Sequence, residues 1–133
     1  MSPDRARCVL VLDDEPDARE LVRLVLEPLG FAVCGAGDGE EALLLLEEND
    51  VSVALVDLLM PGMSGRGFLE RVAELPERKR PVCIANSARR PREVEAELRG
   101  LELFDILTKP FELHDLERRI VRAWEEKNRR HPA

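Results

Sequence analysis

Cys8-Val9-Leu10-Val11-Leu12-Asp13-Asp14 sets five apolar residues directly against two carboxylates. An apolar run this short and unbroken suits a strand covered on both faces, as strands of a parallel sheet are. Further short runs lie at 31–36, 51–56, 82–85 and 103–107. Between them, apolar residues recur at helical spacing. Leu21, Leu24, Val25 and Leu29 form one stripe, Phe68, Leu69, Val72 and Leu75 another, and Leu113, Leu116, Ile120 and Trp124 a third. The weakest stretch is 91–100, where Val94 and Leu98 stand among Arg and Glu. Punctuation agrees: Pro16 suits a first helical turn and Gly30 a position just past a helix end. Asp38, followed three residues on by Glu41, reads as a helix cap.

Five strands alternating with five helices predict an α/β fold, a single doubly wound five-stranded parallel sheet. Three runs (8–12, 53–56 and 82–85) are continuous, as central strands should be, whereas Gly35 and Asp105 interrupt the other two and place them at the edges. The order 2-1-3-4-5, the flavodoxin-like arrangement, satisfies both constraints.

The chain has 133 residues, enough for one domain with a proper core. Twenty Lys and Arg against 27 Asp and Glu give a net charge of −7, which disfavours a global grip on nucleic acid or anionic lipid. No apolar run approaches the length of a membrane span, and no charged-then-apolar leader predicts secretion. Cys8, Cys34 and Cys83 have no metal-ligand spacing and each sits in an apolar run, so they read as buried, reduced thiols. The expected compartment is cytoplasmic. The polar stretch 125–133 is expected to fray.

In a doubly wound sheet, function gathers beyond the carboxyl ends of the strands. There stand Asp13 and Asp14 after the first strand, Asp57 after the third, Asn86 and Ser87 after the fourth, and Thr108 and Lys109 after the fifth. Each alone reads as well as a cap or a solvated polar residue. Together they bring three carboxylates to one sheet edge, where repulsion raises pKa values unless a cation compensates. A hard divalent ion with oxygen ligands, Mg²⁺ above all, offsets that repulsion, and Lys109 adds a further positive charge.

Three ordered blocks carry a family resemblance. Leu10-Val11-Leu12-Asp13-Asp14-Glu15-Pro16-Asp17 is similar to the acidic opening of response regulator receiver domains. Val56-Asp57-Leu58-Leu59-Met60-Pro61-Gly62-Met63-Ser64-Gly65 resembles their phosphoacceptor strand and loop, and Leu107-Thr108-Lys109-Pro110-Phe111 their lysine signature. The resemblance implies a receiver domain over 7–126, an N-terminal extension at 1–6 and a polar tail at 127–133. It implies phosphorelay signalling, with Asp57 accepting a phosphoryl group from a histidine kinase or a histidine phosphotransfer protein. Asp14 and Asp57 would ligate Mg²⁺ directly, Asp13 through a water, and the Leu59 carbonyl would complete the protein ligands. Lys109 would pair with phosphoryl oxygens, Ser87 would bond one of them, and the Lys109–Pro110 peptide would be cis. The chain would then be no enzyme beyond its own phosphorylation and dephosphorylation, and would switch binding to an effector protein. Direct nucleic-acid or membrane binding is not expected.

Two positions depart from the family pattern. The fourth strand ends Asn86-Ser87-Ala88, where a hydroxyl residue followed by a small one is usual; Ser87 fits, and Asn86 is the fallback should the register shift by one. Ile106 replaces the usual aromatic switch residue, so activation is expected to be read from the segment starting near Ala88, with Arg89 and Arg90, and Ile106 to stay nearly passive. Gly35, Gly37 and Gly39 lack dinucleotide-loop spacing and read as a turn into the Asp38 cap. His114 and His131 read as surface histidines, and Arg118, Arg119, Arg122, Arg129 and Arg130 as a solvated helix face. A dehalogenase-type phosphohydrolase would need a second acid two residues after its nucleophile, and Leu59 stands there. A receiver that never takes phosphate would typically lack an acid or the lysine, and this chain keeps them all.

Overall fold

The computed structural model describes residues 7–59 and 65–132. Five strands alternate with five helices: β1 Cys8–Leu12, α1 Pro16–Leu26, β2 Ala32–Ala36, α2 Gly39–Glu48, β3 Val53–Asp57, α3 Gly65–Ala73, β4 Val82–Ser87, α4 Pro91–Glu97, β5 Asp105–Thr108 and α5 Leu113–Arg130. All neighbouring strands pair in parallel, in the order β2-β1-β3-β4-β5. This is the doubly wound flavodoxin-like sheet that the apolar pattern predicts.

Strand alternation splits the core into two layers. Leu10, Leu12, Ala54, Val56 and Ala85 face α2, α3 and α4, meeting Leu46, Phe68, Val72 and Val94. Val9, Val11, Val53, Leu55 and Ile84 face α1 and α5, meeting Val22, Leu26, Leu116 and Ile120. With both faces covered, β3 and β4 are buried along their whole length, which is why their sequences carry no polar interruption before the tips.

The local signals act as read. Pro16 opens α1, Gly30 takes the left-handed conformation at φ 94°, and the Asp38 carboxylate accepts the Glu41 N–H at 2.8 Å. Glu41 closes the cap from the other side by accepting the Gly37 N–H. Even 91–100 forms a helix, because Val94 and Leu98 are both buried.

Four local readings need correction. The fifth strand begins at Asp105, two residues after the apolar run starts; the Asp105 carboxylate stays off the core by taking Arg119 at 2.5 Å. Residues 125–130 do not fray: α5 runs to Arg130 because the buried Lys127 ammonium donates to the carbonyls of Arg78 and Arg80 at 3.0 and 2.6 Å. Of the thiols only Cys83 is buried, while Cys8 and Cys34 are partly exposed, because β2 is an edge strand and Cys8 is the first residue of its own. Arg118, Arg122, Arg129 and Arg130 are exposed as a solvated face should be, with Arg118 pairing with Asp115 and Arg129 and Arg130 with Glu126. Arg119 corrects that reading: it is half-buried and ties α5 to β5 through Asp105 and the Ile106 carbonyl.

Candidate functional site

The register that builds the sheet also aligns the strand tips. Leu12 pairs with Ala36 and Val56, and Asp57 pairs with Asn86, so Asp13 and Asp57 emerge side by side from the two central strands. The carboxylate oxygens of Asp13, Asp14 and Asp57 lie within 4.8 Å of one another. Asp13 and Asp57 are buried and Asp14 is exposed. Lys109 reaches in from the end of β5, its Nζ 3.4 Å from Asp57 Oδ2 and 3.7 Å from Asp13 Oδ2.

Backbone groups hold two of the acids. The Glu15 N–H donates to Asp13 Oδ1 and the Leu59 N–H to Asp57 Oδ1, each at 3.0 Å. These local bonds aim the remaining oxygens at the cluster. Burial pushes the Asp13 carboxyl above the usual aspartate range; the Glu15 amide and Lys109 pull it down, and Asp57 and Asp14 push it further up. Three carboxylates thus share one lysine at this sheet edge.

A group that fits this cluster must be cationic, small and tolerant of oxygen ligands. A hard divalent ion meets all three conditions. Among the described residues this is the one cluster of three such side chains close enough to hold a metal.

On β4, Val82 and Ile84 face α1 and α5 while Cys83 and Ala85 face the other layer, so Asn86 and Ser87 continue on opposite sides. Ser87 is buried, and its hydroxyl accepts the Arg89 N–H at 3.0 Å, tying it to the start of the following loop. Asn86 borders a cavity of about 430 Å³ shared with Leu21, Lys109 and Phe111, and its buried Oδ1 has no partner among the described residues. Lys109–Pro110 is cis, and the Lys109 N–H donates to the Ser87 carbonyl at 2.8 Å. Leu59 is exposed where the chain leaves β3. The rest of its motif, 60–64, lies outside the described residues, as does the 1–6 extension.

Two supporting residues carried no assigned role in the sequence. Gly65 starts α3 so close to Asp57 that a Cβ would stand 2.5 Å from the Asp57 carbonyl and 2.9 Å from Leu58 Cα. Arg19 donates to the Asp13 carbonyl at 2.7 Å and lies over Gly35, where a Cβ would stand 3.1 Å from its Cδ. The glycine closing the 56–65 block was a usable signal for the first. Nothing in the sequence marks Arg19.

Residues 9–121 match the response regulator receiver domain. The chain belongs to that family. It is 32% identical over 113 residues to a probable chemotaxis protein CheY of Rhizobium etli, covering 84% of this chain and 88% of that protein. It is 39% identical to an uncharacterised 14.6 kDa protein of Leptolyngbya boryana, covering 84% and 86%. Against the response regulator GtcR of Aneurinibacillus migulanus it is 33% identical, covering 80% of this chain but only 43% of that longer protein. Among solved structures, CheY4 of Vibrio cholerae superposes with a TM-score of 0.81 at 28% identity, covering 87% of this chain and 97% of that one. The chain is thus a receiver domain of two-component signalling, a family of switches rather than catalytic enzymes. No helix among the described residues is long and apolar enough to cross a membrane.

Proposed function

We propose that this receiver takes a phosphoryl group from the phosphohistidine of a histidine kinase or phosphotransfer protein onto Asp57, in a Mg²⁺-dependent reaction. The observation that carries the reading is the buried Asp57 carboxylate, 3.4 Å from the Lys109 ammonium inside a cluster of three acids.

Asp57 is the nucleophile: a carboxylate oxygen bonds phosphorus as the phosphorus–nitrogen bond of the donor breaks, and the pair of electrons returns to the imidazole. The transferring group carries charge on three oxygens, so the site has to position it and supply positive charge. Lys109, already between Asp13 and Asp57, is placed to meet that charge. Asp13, Asp14, Asp57 and the Leu59 carbonyl would hold the ion. When bound, Mg²⁺ supplies electrostatic stabilisation of phosphoryl oxygens. Ser87 then donates its hydroxyl proton to one of them, while its oxygen is the acceptor of the Arg89 N–H.

That shared hydroxyl links phosphorylation to the 88–90 segment, whose Arg89 pairs with Glu97 of α4. Ile106 is half-buried against the core and held by its neighbours: its N–H donates to Asp105 Oδ1 and its carbonyl accepts from Arg119. We therefore read activation through 88–90 and α4, with Ile106 nearly passive. An effector protein recognising that altered surface completes the switch, and a cytoplasmic setting suits such partners.

Incubating the chain with acetyl phosphate and Mg²⁺ tests this. Intact mass should show one added phosphate in the wild type and none with EDTA or in Asp57→Asn. Full labelling of Asp57→Asn would overturn the assignment.

A further inference from the structure

Cys8 opens β1, and Cys34 stands in the middle of the edge strand β2. The register pairs Cys8 with Ala32 and Leu10 with Cys34, so the two cysteines are diagonal neighbours. Both lie on the sheet face packed against α2 and α3. Their sulfurs are 3.8 Å apart, in direct contact. Neither thiol is sealed, whereas Cys83 is fully buried and donates to the Pro81 carbonyl.

We propose that Cys8 and Cys34 are a redox-active pair, closed to an intramolecular disulfide by a peroxide and reopened by thiol reductants. This rests on no part of the phosphotransfer reading.

The two sulfurs are chemically unequal. Either sulfur can donate to the other, and the Cys34 thiol also donates to the Val9 carbonyl at 3.7 Å. The contact with Cys8 holds Cys34 below the usual thiol range against its burial, and the Arg23 charge adds to this. The same bond and burial push Cys8 up. With the lower thiol attacking first, Cys34 is the attacker and Cys8 the resolving thiol; the sulfur contact serves the bridge in either order. The Cys34 sulfur attacks the peroxide, forming an S–O bond as the O–O bond breaks. The departing oxygen leaves as hydroxide and takes up the thiol's proton, giving water and a sulfenic acid. The Cys8 sulfur then displaces hydroxide from the sulfenic sulfur, forming the S–S bond and releasing a second water with its own proton. Two thiols lose two electrons to one peroxide.

From strand spacing and rise, residues offset by two on neighbouring parallel strands stand about 8 Å apart at Cα, and disulfides rarely span more than about 6.8 Å. Closing the bridge must draw the start of β1 towards the edge strand. Strained bridges are the readily reduced ones, which suits a reversible modification. Cys83, its thiol pushed up to about 12 chiefly by burial, is an internal control. No third acidic, histidine or cysteine ligand joins the pair among the described residues, which favours redox chemistry over a metal site.

The test treats the native full chain with hydrogen peroxide, unfolds it, alkylates free thiols and measures intact mass with peptide mapping. Wild type should lose two hydrogens, keep one alkylatable thiol at Cys83, link the Cys8 and Cys34 peptides, and return to three free thiols with dithiothreitol. Cys8→Ser should form no bridge and should take up dimedone, a sulfenic-acid probe, at Cys34. Three free thiols after peroxide in the wild type, a bridge to Cys83, or bridges only between chains would overturn the proposal. No dimedone adduct at Cys34 in Cys8→Ser, beside a clear one at Cys8 in Cys34→Ser, would overturn the division of roles.

Discussion

The two ends of the sheet treat buried charge in opposite ways. At the amino end, Lys127 is almost wholly buried, yet its ammonium meets the carbonyls of Arg78 and Arg80 at 3.0 and 2.6 Å. At the carboxyl end, three acids face one lysine whose Nζ stays 3.4 Å or more from their oxygens. The first arrangement is satisfied and closes α5 onto the fold. The second gathers three acids around one lysine, the arrangement on which the proposed cation and phosphoryl sites rest. A buried charge marks function only where its own fold does not answer it.

The largest effect should come from the satisfied end. Lys127→Met keeps the aliphatic stem but removes two charged hydrogen bonds to the Arg78 and Arg80 carbonyls, and should cost about 2–4 kcal/mol. Urea unfolding measures it. An unchanged midpoint would mean the ammonium is as dispensable as a surface lysine. Gly65→Ala sharpens the other end. Its Cβ must displace the Asp57 carbonyl or Leu58, costing about 1–3 kcal/mol and slowing phosphorylation. A variant with wild-type stability and labelling rate would show that α3 can back away freely.

Asp13 gives the two ends opposite signs. Its carboxyl is raised in the folded state, so the native protein binds more protons than the unfolded chain between the ordinary aspartate range and the raised value. Without Mg²⁺, stability contributed at this site therefore falls as pH rises through that window and stays lower above it. Asp13→Asn should accordingly raise the melting temperature in EDTA near neutral pH and lose the benefit when Mg²⁺ is added. A destabilised Asp13→Asn in EDTA would mean the carboxylate is already compensated. The smallest effect belongs to the exposed face of α5. Arg118 holds the Asp115 carboxyl below the usual range together with Arg119, but the group is open to solvent. Asp115→Ala should shift the urea midpoint only slightly, with a loss confined to pH above the lowered value.

Most of this layout was legible because it depends on pattern. Continuous runs at 8–12, 53–56 and 82–85 marked the covered strands, and the acids and lysine directly after them marked the tips. What stayed hidden depends on contacts between distant segments. Lys127 sits in a polar stretch and becomes a core residue only because the turn before β4 presents two carbonyls to it. Cys8 and Cys34 read as buried thiols, and only the β1–β2 register brings their sulfurs together at the open edge. Arg19 has no local signature, since its partner is the backbone of Asp13. The acids and lysine that meet at the strand tips were thus readable, whereas the residues that orient them were not, Gly65 excepted.

The central proposal is that the carboxyl-end cluster of Asp13, Asp14 and Asp57 holds a divalent cation. A Mg²⁺ titration followed by amide spectra tests it most directly, since the Glu15 and Leu59 N–H groups report on Asp13 and Asp57. The account predicts saturable shifts at both amides in the wild type, loss of that saturation in Asp14→Asn, and no response near Lys127. Equal saturation in Asp14→Asn, or no shift at either amide in the wild type, would contradict it.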